Sequence, residues 1–343
     1  MKNLIYLVSV LVTLVFYSCS ENNPVVPPVI STSEGVFALS EGGMTPGSSK
    51  LSYYNSNKDS FYVNIFNPTT LGLFPDGMIK YNNNLYITEQ GNFYAAGRIY
   101  KTDMNGTVVS QNSVGANPYS LCMAKNMLYI TNGPTSKVSV VEVNSLSTIK
   151  EINVGVYPQE IISYNNKVFV CNTSTYGGAS DSTVSVIDAN SDEIVKTLRV
   201  DKDPSGLVIT NDGRLLVSSN GVSGKIYVFE ATTYNLIDSL FSPYGYSKDF
   251  STDKISNVVY FIGVNSDIVK LNLDTRVFTK FISKPSPQSF IYGYVYDYVS
   301  QKHYLADAGD FASAGNLLVY GASGTLSKTL VTGVAPRRII VNK

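Results

Sequence analysis

Short apolar runs, most of them carrying an aromatic residue and closing on small polar ones, recur along the chain. They are Val36–Gly42 (VFALSEG), Leu85–Gly91 (LYITEQG), Leu128–Gly133 (LYITNG), Val168–Thr173 (VFVCNT), Leu215–Gly221 (LLVSSNG), Val259–Val264 (VYFIGV) and His303–Gly309 (HYLADAG). Successive runs lie about 44 residues apart, a spacing at which repeat architectures are built. A second landmark keeps the same beat. Pro75, Pro118, Pro158, Pro204, Pro243, Pro287 and Pro336 each stand just before another short apolar stretch. Both landmarks count seven units.

The fourth unit is the cleanest. Lys167–Cys171 (KVFVC), Thr183–Asp188 (TVSVID), Glu193–Val200 (EIVKTLRV) and Pro204–Thr210 (PSGLVIT) read as four successive strands, the third alternating apolar and polar as a half-buried strand should. Turn residues fill 188–192, and Asn211-Asp212-Gly213 is a tight-hairpin signal, because Asp-Gly accepts the positive φ such turns demand. Four strands in each period of about 44 residues predict an all-β fold, a seven-bladed β-propeller of four-stranded blades spanning 34–343. The last stretch, Pro336–Asn342, is a proline-led strand without a successor. It is expected to pair beside Val36–Leu39, closing the ring so that no long edge stays exposed.

The parts of unit four follow one another as in the YVTN-type repeat (the YncE-like propellers): Thr183–Asp188, Ile194–Val200, Pro204–Gly213 and Leu215–Asn220. The resemblance runs through all seven units, strongest in three to five, and is specific for fold rather than activity. Glu34–Phe61, with its GVFALSEGG and LSYYN segments, also resembles a subgroup of Gram-negative surface propeller lipoproteins. Some members of that subgroup capture vitamin B12 and pass it to a TonB-dependent transporter. The resemblance therefore implies capture of a nutrient such as a corrinoid, without matching individual ligand contacts.

Ahead of the repeats, Lys2 and the apolar stretch Leu4–Phe16 have the make-up of a signal peptide, too short to span a bilayer comfortably. Cys19 follows directly and resembles the lipidated cysteine of a bacterial lipobox, although Phe16 and Tyr17 are bulkier than that motif prefers. The expected organisation is a lipoprotein signal peptide over 1–18, a lipidated Cys19 and proline-containing tether over 19–33, and the propeller beyond. That places the protein in the cell envelope on a lipid anchor, at the outer membrane. Cys122 and Cys171 sit in apolar strand patterns and read as buried thiols, with a disulfide as the alternative.

Composition narrows the partners. Lys plus Arg and Asp plus Glu are both 26, so no positive field marks a nucleic-acid surface. Charged residues make up only 15%, while 25 Tyr and no Trp suit amphipathic strands or a partly aromatic binding face.

Propellers bind on one face near the central channel, and the residues just after the seven prolines would ring its mouth: Asp76, Tyr119, Gln159, Ser205, Tyr244, Gln288 and Arg337. Four long loops between second and third strands, Glu41–Ser49, Glu89–Gly97, Asn172–Ser182 and Asp307–Gly315, share that face and add Phe93, Tyr94, Tyr176 and Phe311 as contacts. Catalytic signals are sparse. His303 is the single histidine and cannot build a zinc site by itself, and Glu89, Asp181, Asp307 and Asp310 are expected to be solvated loop acids. No metal, cofactor or catalytic set is indicated. The expected role is non-catalytic binding of a small molecule or an envelope protein by a monomeric domain. The alternatives are an interaction scaffold or a propeller lactonase or lyase, which would need His, Glu or Arg clustered at the channel.

Overall fold

The computed structural model describes residues 34–343 apart from Tyr176. The expectations for 1–18, for Cys19 and the tether 19–33, and for Tyr176 fall outside those residues.

Seven four-stranded antiparallel sheets form the molecule, each a meander whose strands succeed one another outward from the centre. The innermost strands are Pro75–Tyr81, Pro118–Ala124, Pro158–Tyr164, Pro204–Ile209, Lys248–Thr252, Ile291–Asp297 and Pro336–Asn342. Each packs against the innermost strands before and after it, closing a ring around a central channel. The all-β, seven-bladed propeller read from the repeat is the observed fold.

Blade 1 is assembled from both ends of the chain. Pro336–Asn342 pairs with Gly35–Ser40, placing Val36 opposite Val341 and Phe37 opposite Ile340. Lys50–Asn55 and Ser60–Tyr62 complete it. The closure follows from the free edge that the second strand of blade 1 would otherwise show.

The core lies between blades. Phe169, Val184 and Val186 of blade 4 pack on Leu215, Val217 and Phe229 of blade 5. Across the seam, Val36, Ala38 and Tyr54 of blade 1 meet Tyr304, Leu317 and Val319 of blade 7. Middle strands are covered on both faces and so are buried along their length, whereas outer strands such as Glu193–Arg199 leave most side chains in solvent. Cys122 and Cys171 are buried, free thiols in these layers.

The proline landmark needs a correction in two blades. Pro75, Pro118, Pro158, Pro204 and Pro336 open innermost strands, each preceded by a left-handed residue: Phe74, Asn117, Tyr157, Asp203 and Ala335, with φ between 45° and 59°. Pro243 and Pro287 open none. Pro243 sits in a turn closed by the Gly245 amide on the Ser242 carbonyl, and Pro287 in one closed by Ser289 on Ser286. The strands themselves begin later, at Lys248 (opposite Ile262) and Ile291 (opposite Asp307).

Two faces result. One carries the loops between second and third strands and between blades, and is the loop face. The other carries the hairpins between first and second strands and is the hairpin face.

Candidate functional site

Every innermost strand slips out of register just after its first residue. The pairing jumps between Pro75 and Met78, Pro118 and Leu121, Pro158 and Ile161, and Lys248 and Ser251, with shorter shifts in the other blades. A bulge of this kind frees residues from the ladder and re-aims their side chains. The small polar residue of the LYIT runs holds it. Thr131 accepts the Ser120 amide at 3.1 Å and donates to the Gln159 carbonyl of the next blade at 2.7 Å. Thr88 does the same for Gly77 and the Tyr119 carbonyl.

Counted from the strand starts, the first bulge residues are Asp76, Tyr119, Gln159, Ser205, Asp249, Tyr292 and Arg337. Tyr244 and Gln288 do not belong to this set. Tyr244 is half-buried in the interblade loop against the core of blades 5 and 6, and Gln288 is exposed beside the loop Asp307–Gly315. The residues one position further on include Glu160 and Arg338.

These positions meet inside the channel. Arg337, 1% exposed, donates to both oxygens of Asp249 at 3.1 and 2.8 Å, to Glu160 Oε1 at 3.1 Å and to the Tyr292 carbonyl. Arg338 reaches Asp76 Oδ1 at 2.9 Å and both oxygens of Glu160. Burial opposes the charge on Asp249, but Arg337 and Arg338 hold its carboxyl below the usual range. Burial works against the Arg337 cation as well, and Asp249 and Asp76 overcome it. Arg337 is thus an internal tie rather than a rim residue. Asp76 Oδ2, Arg337 Nε, Ser205 Oγ and Tyr246 OH are buried without a hydrogen-bond partner.

Toward the loop face, Tyr292 gathers the mouth. Its hydroxyl donates to Glu41 Oε1 at 3.1 Å, and Lys248 Nζ and Arg337 Cζ lie 4.8 and 5.3 Å from its ring centre. Phe311 packs edge-on against Tyr292 and Phe290, with centroids 5.0 and 5.1 Å away. Burial, and then the Asp76 carboxylate, push Glu41 up to about 7. Burial, followed by Asp76, likewise keeps the Tyr119 hydroxyl protonated well past its ordinary range. Gln159 and Ser205 are half-buried in the ring. Phe93 and Tyr94 stand apart as an exposed edge-to-face pair with centroids 4.5 Å apart.

The loop acids differ from expectation. Glu89 is buried and accepts the Gly72 amide and the Tyr100 hydroxyl, and Asp307, also buried, accepts the Phe290 and Gly309 amides. Asp181 takes the Val156 and Ser182 amides. They pin loops whose amides have no strand partner. Asp310 alone sits in an exposed turn. His303 is buried, its Nδ1 2.7 Å from the Tyr294 hydroxyl and its ring among those of Tyr260, Phe281 and Tyr296.

Sequence reasoning missed Glu41, Glu160, Lys248, Asp249, Tyr292 and Arg338. Glu160 and Arg338 were within reach, two residues after a strand-opening proline. Asp249 and Tyr292 follow strand starts that carry no proline.

Among solved structures, the chain is similar to a quinoprotein alcohol dehydrogenase-like protein from Bacteroides thetaiotaomicron, with a TM-score of 0.71 at 17% identity over 91% of this chain and 79% of that one. It is similar to the dihydro-heme d1 dehydrogenase NirN (TM-score 0.59, 13% identity, 92% and 77% covered). BamB from Moraxella catarrhalis aligns at 0.54 with 13% identity over 87% of this chain and 82% of its own. Identities this low carry the fold alone. No curated protein matches the sequence. Residues 34–302 match the family model described as a domain of unknown function, DUF5074, and the chain belongs to that family.

Proposed function

We propose that this protein is a non-catalytic binding protein of the cell envelope, lipid-anchored through Cys19, that recognises its partner with the loop face of the propeller. One observation carries the reading: the two faces differ in exposed apolar side chains. Among the described residues, Met44, Phe93, Tyr94, Val222, Val264, Phe290 and Phe311 stand exposed on the loop face, against Ile255 and Val299 on the hairpin face. Apolar groups gathered on one face, beside a polar mouth, mark a recognition surface. The first described residue, Glu34, lies on the hairpin side, where Gly35 pairs with Asn342.

A large amphipathic nutrient such as a corrinoid, handed on to a TonB-dependent transporter, suits a broad face with paired aromatics at Phe93–Tyr94 and Phe290–Phe311. The test is calorimetric titration of the chain with cyanocobalamin, and capture of membrane proteins by the immobilised chain. The variants are Phe93→Ser with Tyr94→Ser, and Phe311→Ser. Weakening of either association by about tenfold or more, with an unchanged melting transition, supports the loop face. Unaltered association in all variants overturns it. Corrinoid binding identifies a nutrient carrier. Capture of a membrane protein without it identifies a scaffold.

A further inference from the structure

The other end of the channel holds a separate chamber. A cavity of about 470 Å³ opens toward the hairpin face below the ion network, where Ile79, Lys80, Met123 and Ser163 mark its outer end. Arg337 and Asp76, 1% and 0% exposed, belong to the ion network beside it and are not among its lining residues. Its walls are apolar, with Met78, Leu121, Ile161, Leu207 and Ile339, and its roof is polar, with Glu160, Asp249 and Arg338 partly exposed to it. A polar end on an apolar chamber of this size is the usual make-up of a small-molecule site.

Two hydroxyls at the roof have no hydrogen-bond partner: Ser205 Oγ and, on a residue with no exposed surface, Tyr246 OH. Both residues line the cavity. The Tyr246 hydroxyl occupies the space that a side chain at 206 would take, 2.0 Å from an ideal Cβ there, so only Gly206 lets it stand in this place. A buried hydroxyl is costly to leave unpaired, which makes one on a cavity-lining residue a pointer to a bound group.

Charge selects the ligand. The charged side chains at the roof of the chamber are the carboxylates of Glu160 and Asp249 and the guanidinium of Arg338, with Asp76, Arg337 and Lys248 behind them in the network. Arg338, the guanidinium that reaches the cavity, is already engaged with Asp76 and Glu160. An anion would meet two carboxylates at the roof and no free guanidinium donor. A cation would meet carboxylate oxygens and two hydroxyl acceptors. Lys80, the one ammonium lining the chamber among the described residues, stands at the outer rim with Nζ on the Lys343 carbonyl.

We infer that the hairpin-face chamber binds a small primary amine with an apolar body, the ammonium seated between Glu160, Asp249, Ser205 Oγ and Tyr246 OH and the body lying along Leu121, Ile161 and Leu207. The test is calorimetric titration of the full chain with phenethylamine, with 3-phenylpropionate and phenethyl alcohol as the anionic and neutral counterparts. Phenethylamine should bind saturably and the other two should not. Tyr246→Phe should weaken it about tenfold, the effect of one hydrogen bond to a charged group. Leu207→Phe, which narrows the chamber, should abolish binding while the chain still folds. Binding of all three compounds alike, no binding of the amine, or amine affinity unchanged by Leu207→Phe each overturns the assignment. The loop-face variants at Phe93, Tyr94 and Phe311 should bind phenethylamine as the unaltered chain does, which separates this site from the partner surface.

Discussion

Two titratable side chains, the half-buried Glu41 and the buried His303, make stability depend on pH in opposite senses. Glu41 has a folded pKa of about 7 against an ordinary value of 4.5, so the folded state holds its proton more tightly than the unfolded chain. Its contribution is fully present below about pH 4.5 and is lost as pH rises toward 7. Glu41→Gln keeps an acceptor for Tyr292 without the charge. Its stability relative to the unaltered chain should improve between pH 5 and pH 8 by on the order of 1–3 kcal/mol, read by urea unfolding at both values. A difference independent of pH would dismiss the buried-acid account. Burial, and then Lys270, lowers His303 to about 4, so its contribution is present above about pH 6.5 and is lost as pH falls to 4. His303→Phe preserves the ring packing but leaves the Tyr294 hydroxyl without its partner. It should cost about 1–3 kcal/mol at pH 7.5, and the deficit should shrink toward pH 5, because the variant has no proton to take up on unfolding. A deficit that stays constant with pH would contradict this.

At the scale of the element, the decisive device is the bulge near the start of each innermost strand. It turns a plain β-ladder residue into a channel residue, and Thr88 and Thr131 fix it while tying each blade to the next. Thr131→Val has nearly the same shape but neither accepts nor donates. It should lose about 1–3 kcal/mol of stability and speed hydrogen exchange at the Ser120 amide. Full protection of that amide in the variant would show that the hydroxyl is not what holds the bulge. The strands were readable from their alternation and turns. In blade 4, Thr183–Asp188 is a strand over the range expected from its pattern. The two late strand starts were not readable, because Lys248 and Ile291 pair where other blades have proline and nothing in the local pattern marks the slip.

At the scale of the molecule, Pro336–Asn342 both closes the ring and delivers Arg337 and Arg338 to the acids of other blades. Removing 336–343 would expose the edge of Gly35–Ser40 and leave Asp76, Glu160 and Asp249 without either guanidinium. Breaking a buried ion network from one side costs about 3–5 kcal/mol, before the lost pairing is counted. Such a truncation should show no cooperative thermal transition and should self-associate, as read by calorimetry and light scattering. A monomeric, cooperatively melting product would mean that the ring does not depend on its closing strand.

The sequence alone determined the number of blades, the order of strands and the closing of the ring. Those properties rest on hydrophobic alternation and turn residues, which act within one repeat and need no knowledge of its neighbours. It also named Asp76, Tyr119, Gln159, Ser205 and Arg337 as ring positions. The tertiary structure decided what these residues do. Arg337 became an internal tie, Asp249 and Tyr292 replaced Tyr244 and Gln288, and Glu41 and Lys248 joined the mouth. Such groupings depend on bulge register and on ring curvature. Together these bring Arg338 to within 2.9 Å of a carboxylate 262 residues earlier in the chain, a meeting that no local pattern encodes.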